Sequence, residues 1–253
     1  MKKIGILFLA SLFLASLMCL ITPNGFAQKE VKEILVFAGA GMQAPLDEIG
    51  KKFEAQYGVK VIYDYEGSGR LGNKILVGQE PDVFIPGSEK WARLLKEKGY
   101  VKEYKPIAYH TPVVITQPEN SRIKSLKDLA DPNCSVVLGD IEAAAIGEPS
   151  SAILKKAGIE ESKMNIKARG ITIKQLVLWI EEKNADASIV WKADAVLSGK
   201  VKIIEISQEY NSINIIPVCR MKKDNQWISQ YIQSVLSAEG KGIFAKQGFE
   251  VVK

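Results

Sequence analysis

Three times between Glu33 and Gly99 a short β-branched or aromatic run gives way to an amphipathic run that stops at a glycine. Glu33–Ala38, Val59–Tyr65 and Asp82–Ile85 are the strand-like runs. Pro45–Tyr57, Leu71–Val77 and Glu89–Lys98 are the helical ones, closed by Gly58, Gly78 and Gly99. In the first helix Leu46, Ile49, Phe53 and Tyr57 fall on one face at helical spacing. A glycine just beyond a helix supplies the left-handed residue that a C-terminal cap needs. Repeated strand–helix alternation leaves one compact solution, a parallel sheet with helices on its faces.

After Gly99 the rhythm changes. Thr111–Pro118 is an extended apolar run fenced by prolines, and Ile213–Arg220 is a second one carrying Pro217. Between them a second α/β set is predicted. It has a small helix at Ser125–Ala130 with Ser125 as its cap and Asp128 in a near capping box, then a strand at Ser135–Asp140. A helix follows at Glu148–Ala157, then one at Thr172–Lys183 capped by Thr172, and strands at Ala187–Trp191 and Val201–Ile206. Helices at Asn225–Leu236 and before Gln247 end the chain. The simplest topology is two α/β domains joined by a two-strand hinge, with a ligand cleft between them. The first domain takes 28–111 and 219–253, the second 112–218. Ligands of such sheets sit outside the carboxyl ends of the strands, and hinge closure can enclose them.

Two strand-to-helix turns carry the chemistry: Phe37-Ala38-Gly39-Ala40-Gly41 and Glu66-Gly67-Ser68-Gly69-Arg70. Helix N-termini present unpaired N–H groups and the positive end of the helix dipole, so paired turns of this kind suit an anion.

The first residues read as an export signal. Met1-Lys2-Lys3 is basic, Ile4–Ile21 is apolar, and Gly25 and Ala27 are the small residues of a cleavage site after Ala27. The apolar run is near bilayer-spanning length, so an uncleaved anchor is the alternative. Cys19 does not read as a lipidation site, because Met18 stands where a small residue is wanted. The mature chain of about 226 residues can bury a sizeable core. Without Lys2 and Lys3 its formal charge falls from +5 to +3, with scattered basic residues, so nucleic acid is not an expected partner. Cys134 and Cys219 read as two small buried side chains rather than a disulfide, and with one histidine and no Cys/His cluster no metal site is expected.

Several motifs together resemble the periplasmic molybdate/tungstate-binding proteins. Phe37–Gly41 is similar to their first ligand loop, which usually ends in serine, and Gly67–Leu71 to their second. Gln79–Ile85 resembles their next strand, Ala143–Gly147 an alanine-proline-tyrosine-glycine turn, Asn184–Trp191 a helix-to-strand passage ending in tyrosine, and Gln247–Phe249 their C-terminal ending. The resemblance spans nearly the whole mature chain. It implies a type II periplasmic binding-protein fold, no enzymatic activity and no cofactor, with molybdate or tungstate as ligand, periplasmic or other extracytoplasmic location and delivery to an ABC permease. A monomer is expected. By matching positions it implies ligand contacts from Ala40, Gly41, Ser68, Gly69, Ala144, Ile173 and Trp191, with Arg70 and Thr172 as additional candidates. Gly41 lacks the usual serine hydroxyl and Trp191 replaces the usual tyrosine. Arg70 would favour a dianion if buried and is a first-turn surface residue if not.

Other chemistries are open on these residues. Ser68 lacks the flanking glycines of a nucleophile elbow, since Glu66 and Arg70 occupy those places. His110 is the only possible base for a serine and reads as structural or interfacial. Asp140 and Glu142 as a cleft pair would repel an anion, and Trp91, Trp179 and Trp227 read as packing residues. The same fold with a sulfate-like, phosphorylated or carboxylate ligand is the first alternative, and an exported enzyme using the cleft the second.

Overall fold

The computed structural model describes residues 32–252. The expected signal peptide, the expected cleavage site after Ala27 and Cys19 lie outside them. Two α/β lobes make up the described chain.

The first lobe begins with the predicted alternation: β1 (Glu33–Gly39), α1 (Gln43–Tyr57), β2 (Lys60–Glu66), α2 (Ser68–Leu76), β3 (Val83–Ile85) and α3 (Glu89–Glu97). Gly58, Gly78 and Gly99 all take positive φ, the left-handed geometry expected beyond each helix. Strands β4 (Val101–His110), β10 (Asn214–Met221) and β11 (Glu250–Val251) complete a six-stranded sheet of order β11-β4-β10-β3-β1-β2. β2, β1 and β3 run parallel, while β10 lies antiparallel to both β3 and β4. β4 therefore points the same way as β1, and His110 ends on the edge of the sheet where β1, β2 and β3 end. Helices α7 (Gln226–Leu236) and α8 (Ala238–Lys246) pack on this lobe. Phe53 of α1 is the anchor. It is 1 % exposed, and Tyr231 of α7 meets it edge-on with ring centroids 5.5 Å apart.

The second lobe holds β5 (Pro112–Thr116), β6 (Ser135–Gly139), β7 (Asn165–Gly170), β8 (Ala187–Trp191) and β9 (Lys202–Glu205) in the order β7-β6-β8-β5-β9. Its helices are α4 (Gly147–Lys156), α5 (Ile173–Glu181) and the short α6 (Lys192–Ser198). Here too three neighbouring strands, β7, β6 and β8, are parallel and end on one edge.

The chain passes between the sheets at Thr111 and again through 206–213. Residues 214–218 pair in the first sheet, ahead of the boundary at 218/219 that the extended run suggested. An apolar extended run reads the same on either side of a crossing; the polar stretch Ser207–Ser212 is what makes the second passage. Side chains tie the lobes together beside the first passage. Lys192 Nζ reaches Glu205 of the second sheet at 2.8 Å and Glu250 of the first at 2.7 Å, and Thr111 Oγ1 donates to Glu250 at 2.8 Å.

Cys134 and Cys219 are free buried thiols in the cores of different lobes. Burial pushes the Cys134 thiol up to about 11 and Cys219 further still. Neither should react with a thiol reagent at neutral pH until the protein is unfolded in denaturant. Labelling of either residue in the native state, read by mass spectrometry, would contradict this placement.

Candidate functional site

Three strand-to-helix turns of the first lobe sit side by side because β2, β1 and β3 are parallel neighbours. Gly39 leads through a 3-10 turn, Ala40–Met42, into α1, and Ala40 and Gly41 are exposed. Gly67, in extended geometry, precedes Ser68 at the first position of α2. Pro86-Gly87-Ser88 joins β3 to α3. In the second lobe Asp140–Ile146 leads to α4, Ile171-Thr172 to α5, and Trp191 directly to α6.

The peptide of Gly87 holds the first lobe's turns together. Its N–H donates to Ser68 Oγ at 2.8 Å, and its carbonyl lies 3.1 Å from His110 Nδ1. A β-carbon on Gly39 would stand 3.3 Å from the Gly87 nitrogen, so the first turn closes on the same residue. A β-carbon on Gly87 would itself crowd the His110 ring at 3.2 Å. Glycine at this position leaves the His110 ring uncrowded, while a side chain there would meet Ser68 Oγ at an ordinary 3.5 Å. Because Ser68 Oγ already accepts a hydrogen bond, its own proton is left to donate elsewhere.

His110 is 8 % exposed, and burial pushes its imidazole down to about 4 against a smaller opposing pull from the Gly87 carbonyl. The ring is neutral at physiological pH, and the Gly87 carbonyl places its proton on Nδ1. It lies flat on Trp191 of the second lobe, with centroids 4.9 Å apart and planes 17° apart. Phe249 packs on it at 5.6 Å. The lone histidine is thus at the junction of the lobes and beside the glycine turns, which its sequence position does not reveal.

The carboxylate nearest the second turn is neutralised. Glu66 pairs with Lys74 at 2.9 Å and with Arg70 at 3.5 Å, and Lys74 also holds Asp64 at 2.7 Å. The Arg70 side chain is 78 % exposed, so it is a surface residue of the first turn of α2 and not a buried anion clamp. Arg70→Ala should change ligand affinity by less than about 0.5 kcal/mol in calorimetry. A loss of tenfold or more would put the guanidinium on the ligand.

In the second lobe the Asp140 carboxylate turns into its own loop, accepting from the N–H groups of Glu142 at 3.0 Å and Ala143 at 2.9 Å. The Ala144 N–H donates to the Asp140 carbonyl at 3.0 Å. The amide expected to meet a ligand is therefore engaged in the turn. Gly147 has no room for a side chain, since a β-carbon would stand 2.0 Å from the Asp140 carbonyl oxygen. Thr172 caps α5, its hydroxyl accepting from Gln175 N–H at 3.2 Å, and Ile173 is the first helical residue. The N–H of a first helical residue has no acceptor within its own helix. Nearby in α6, burial raises the Asp194 carboxyl to about 6, against a weaker lowering by Lys174.

The first lobe thus brings together Gly41, Ser68 and, from the end of β4, His110, while Trp191 of the second lobe stacks on His110. Gly69 faces Trp91 instead, and Gly72 one turn on lets the Trp91 ring lie against α2. Trp91, Trp179 and Trp227 pack against the cores as predicted. Sequence reasoning missed Gly87. The signal was present, because Ile85-Pro86-Gly87-Ser88 is a third glycine turn between a strand and a helix.

A family model described as bacterial extracellular solute-binding protein matches residues 34–250. The chain belongs to this family of solute-binding proteins. The solute-binding chain is 25% identical over 242 residues to the molybdate-binding protein ModA of Haemophilus influenzae, covering 91% of this chain and 94% of that one. It is 27% identical to a putative ABC transporter substrate-binding lipoprotein, YvgL, of Bacillus subtilis, over 98% of both chains. Among solved structures it is similar to the substrate-binding domain of a putative molybdenum ABC transporter from Clostridium difficile, with a TM-score of 0.76, 23% identity and coverage of 87% of this chain and 99% of that one. The two-sheet architecture is that of the type II periplasmic binding proteins. Its family places the protein outside the cytoplasm as a solute-binding protein.

Proposed function

We propose that this solute-binding protein captures a tetrahedral oxyanion, molybdate or tungstate, and delivers it to the permease of an ABC importer. The observation that carries this reading is the Gly87 peptide. By occupying Ser68 Oγ as an acceptor, it leaves the Ser68 hydroxyl as a donor at the mouth of two helix-opening turns. The oxyanion takes the backbone N–H groups of Gly41 and Ser68 and the Ser68 hydroxyl from one lobe, and the N–H of Ile173 from the other. Ala144 contributes only if its turn bond to Asp140 opens. Ala40, Gly69 and Thr172 shape the turns, while Trp191 walls the site. Closure of the lobes strips water from the anion and strengthens each bond. Similarity to molybdate-binding relatives supports the choice of ligand.

Binding rather than catalysis fits the same geometry. No hydrogen bond joins Ser68 to His110 among the described residues; both are instead bonded to Gly87. A serine nucleophile needs a base within hydrogen-bond reach. The test is competition calorimetry on the mature protein. Tungstate or molybdate should bind in the micromolar range or tighter and resist sulfate. If millimolar sulfate displaces them as readily as micromolar tungstate displaces molybdate, the assignment fails. One observation favours a second reading, a different anion in the same cleft: Gly41 carries no hydroxyl, and Trp191 spends its ring face on His110. Phosphate, phosphorylated compounds and small carboxylates in the same titration decide between the two.

A further inference from the structure

His110 has one nitrogen fixed and one free. Nδ1 is held at 3.1 Å from the Gly87 carbonyl, and Nε2 has no hydrogen-bond partner among the described residues. The free edge faces the first glycine turn. A β-carbon built on Gly41 would stand 3.9 Å from Nε2, with no other atom within 4 Å of it. A side chain at 41 would therefore extend into the space in front of this nitrogen. The Ser68 hydroxyl lies on the neighbouring side of the ring: a β-carbon on Gly87 would be 3.2 Å from Cε1, 3.3 Å from Nδ1 and 3.5 Å from Ser68 Oγ. The ring cannot swing away. Trp191 covers one face, Phe249 packs against it, and the Nδ1 bond sets its rotation.

We propose that His110 binds the oxyanion directly through Nε2, drawing a proton from solvent as the anion enters. This rests on the oxyanion reading above. The proton balance is simple. With its proton on Nδ1, the neutral ring offers the ligand a lone pair, which repels a fully deprotonated dianion. Protonation at Nε2 converts that repulsion into a charge-assisted donor and leaves the Nδ1–H bond to Gly87 in place. The imidazolium supplies the donor that glycine at 41 lacks and adds one positive charge to a site otherwise built from neutral groups.

The direction of the pH effect follows. In the free protein burial holds the imidazole at about 4, while the bound anion raises it. Between those two values binding takes up one proton, so affinity falls as pH rises. Among the described residues no charged side chain shifts His110; burial lowers it and the Gly87 carbonyl raises it. The charged residues nearest along its packing elements are Lys192 and Glu250, 2.7 Å apart, and Glu205, 2.8 Å from the same lysine, so the three carry one net negative charge. Asp194 is the other group titrating in this range, at about 6, and serves as a control.

The experiment is calorimetry of the mature protein with sodium tungstate between about pH 6 and pH 8, in buffers of different ionisation heat. Affinity should fall as pH rises, by at most about tenfold per pH unit, with up to one proton taken up per anion. His110→Gln, whose amide can donate without titrating, should bind with a flat pH profile and no proton uptake. Asp194→Asn should keep the wild-type slope. Melting curves of the unliganded variants confirm folding. Binding without a pH slope, a slope unchanged in His110→Gln, or one abolished in Asp194→Asn would overturn the role of His110 while leaving oxyanion binding intact. Absence of binding by tungstate, molybdate, sulfate and phosphate at every pH would overturn the oxyanion reading itself, and this role with it.

Discussion

Ser68→Ala should weaken oxyanion binding by about 2 kcal/mol, roughly 30-fold in affinity, with little change in melting temperature. The substitution removes a hydroxyl donor to a charged ligand, and such bonds contribute more than neutral ones. It also takes from the Gly87 N–H its acceptor, Ser68 Oγ at 2.8 Å, a cost that falls on the free protein and not on binding. The folded state is less affected, because Ser68 is the first residue of α2 and is not its cap; Gly67 holds that position with no side-chain bond. Ser68→Thr keeps the donor and should recover part of the affinity. Unchanged affinity in Ser68→Ala, measured by calorimetry, would move the site away from the α2 N-terminus.

Phe53→Ala should lower stability by about 3–5 kcal/mol, the usual cost of emptying a large buried aromatic site. Phe53 is 1 % exposed and packs between Tyr57, at 4.8 Å, and Tyr231, at 5.5 Å. Beside it the Tyr63 hydroxyl donates to the Leu46 carbonyl at 2.7 Å and meets the Tyr231 hydroxyl at 2.9 Å. This cluster pins α7, near the end of the chain, to α1, near its beginning. Denaturant unfolding should show the loss. Ligand affinity in the folded fraction should be retained, since the aromatic cluster belongs to the first lobe's core and the turns at Gly39, Gly67 and Gly87 lie at its sheet edge. A loss under about 1 kcal/mol would show that α7 and α8 are not held through this contact.

The first three strand–helix units were legible in the sequence because each step is local: a β-branched run, an amphipathic run and a glycine. Elements set by partners were not. β4 begins Val101-Lys102-Glu103-Tyr104-Lys105-Pro106, a polar stretch with a proline, and its first half is largely exposed. It is a strand because β10 pairs with it, and the ladder slips between Ile216 and Pro217, where Pro217 faces Pro106 and neither can donate. β7 is an edge strand carrying Lys167 and Arg169, the charged pattern that protects an exposed edge and hides it from apolar periodicity. The short α6 and the two-residue β11 are too brief for any periodicity to declare itself.

The site divides in the same way. Ser68, Gly41 and the Thr172 cap are readable from local turn patterns. Gly87 and His110 lie 23 positions apart, and only the order of strands in the first sheet brings them together. The Ala144 amide was expected on the ligand by matching position, but the turn that displays it also consumes it. The Asp140 side chain fixes this turn and does not face the cleft as a free carboxylate, a direction that sequence alone does not give.

The central claim is that the cleft selects a tetrahedral oxyanion. A thermal-shift titration of the mature protein against molybdate, tungstate, sulfate, phosphate, chromate and small carboxylates tests it most directly. A ligand that binds only the folded state at 100 times its dissociation constant adds about 2.7 kcal/mol of stability. Molybdate or tungstate should raise the melting temperature at concentrations far below any other ion in the panel, and the shift should shrink in Ser68→Ala. No shift with either ion, or an equal one with sulfate or a carboxylate, would contradict it.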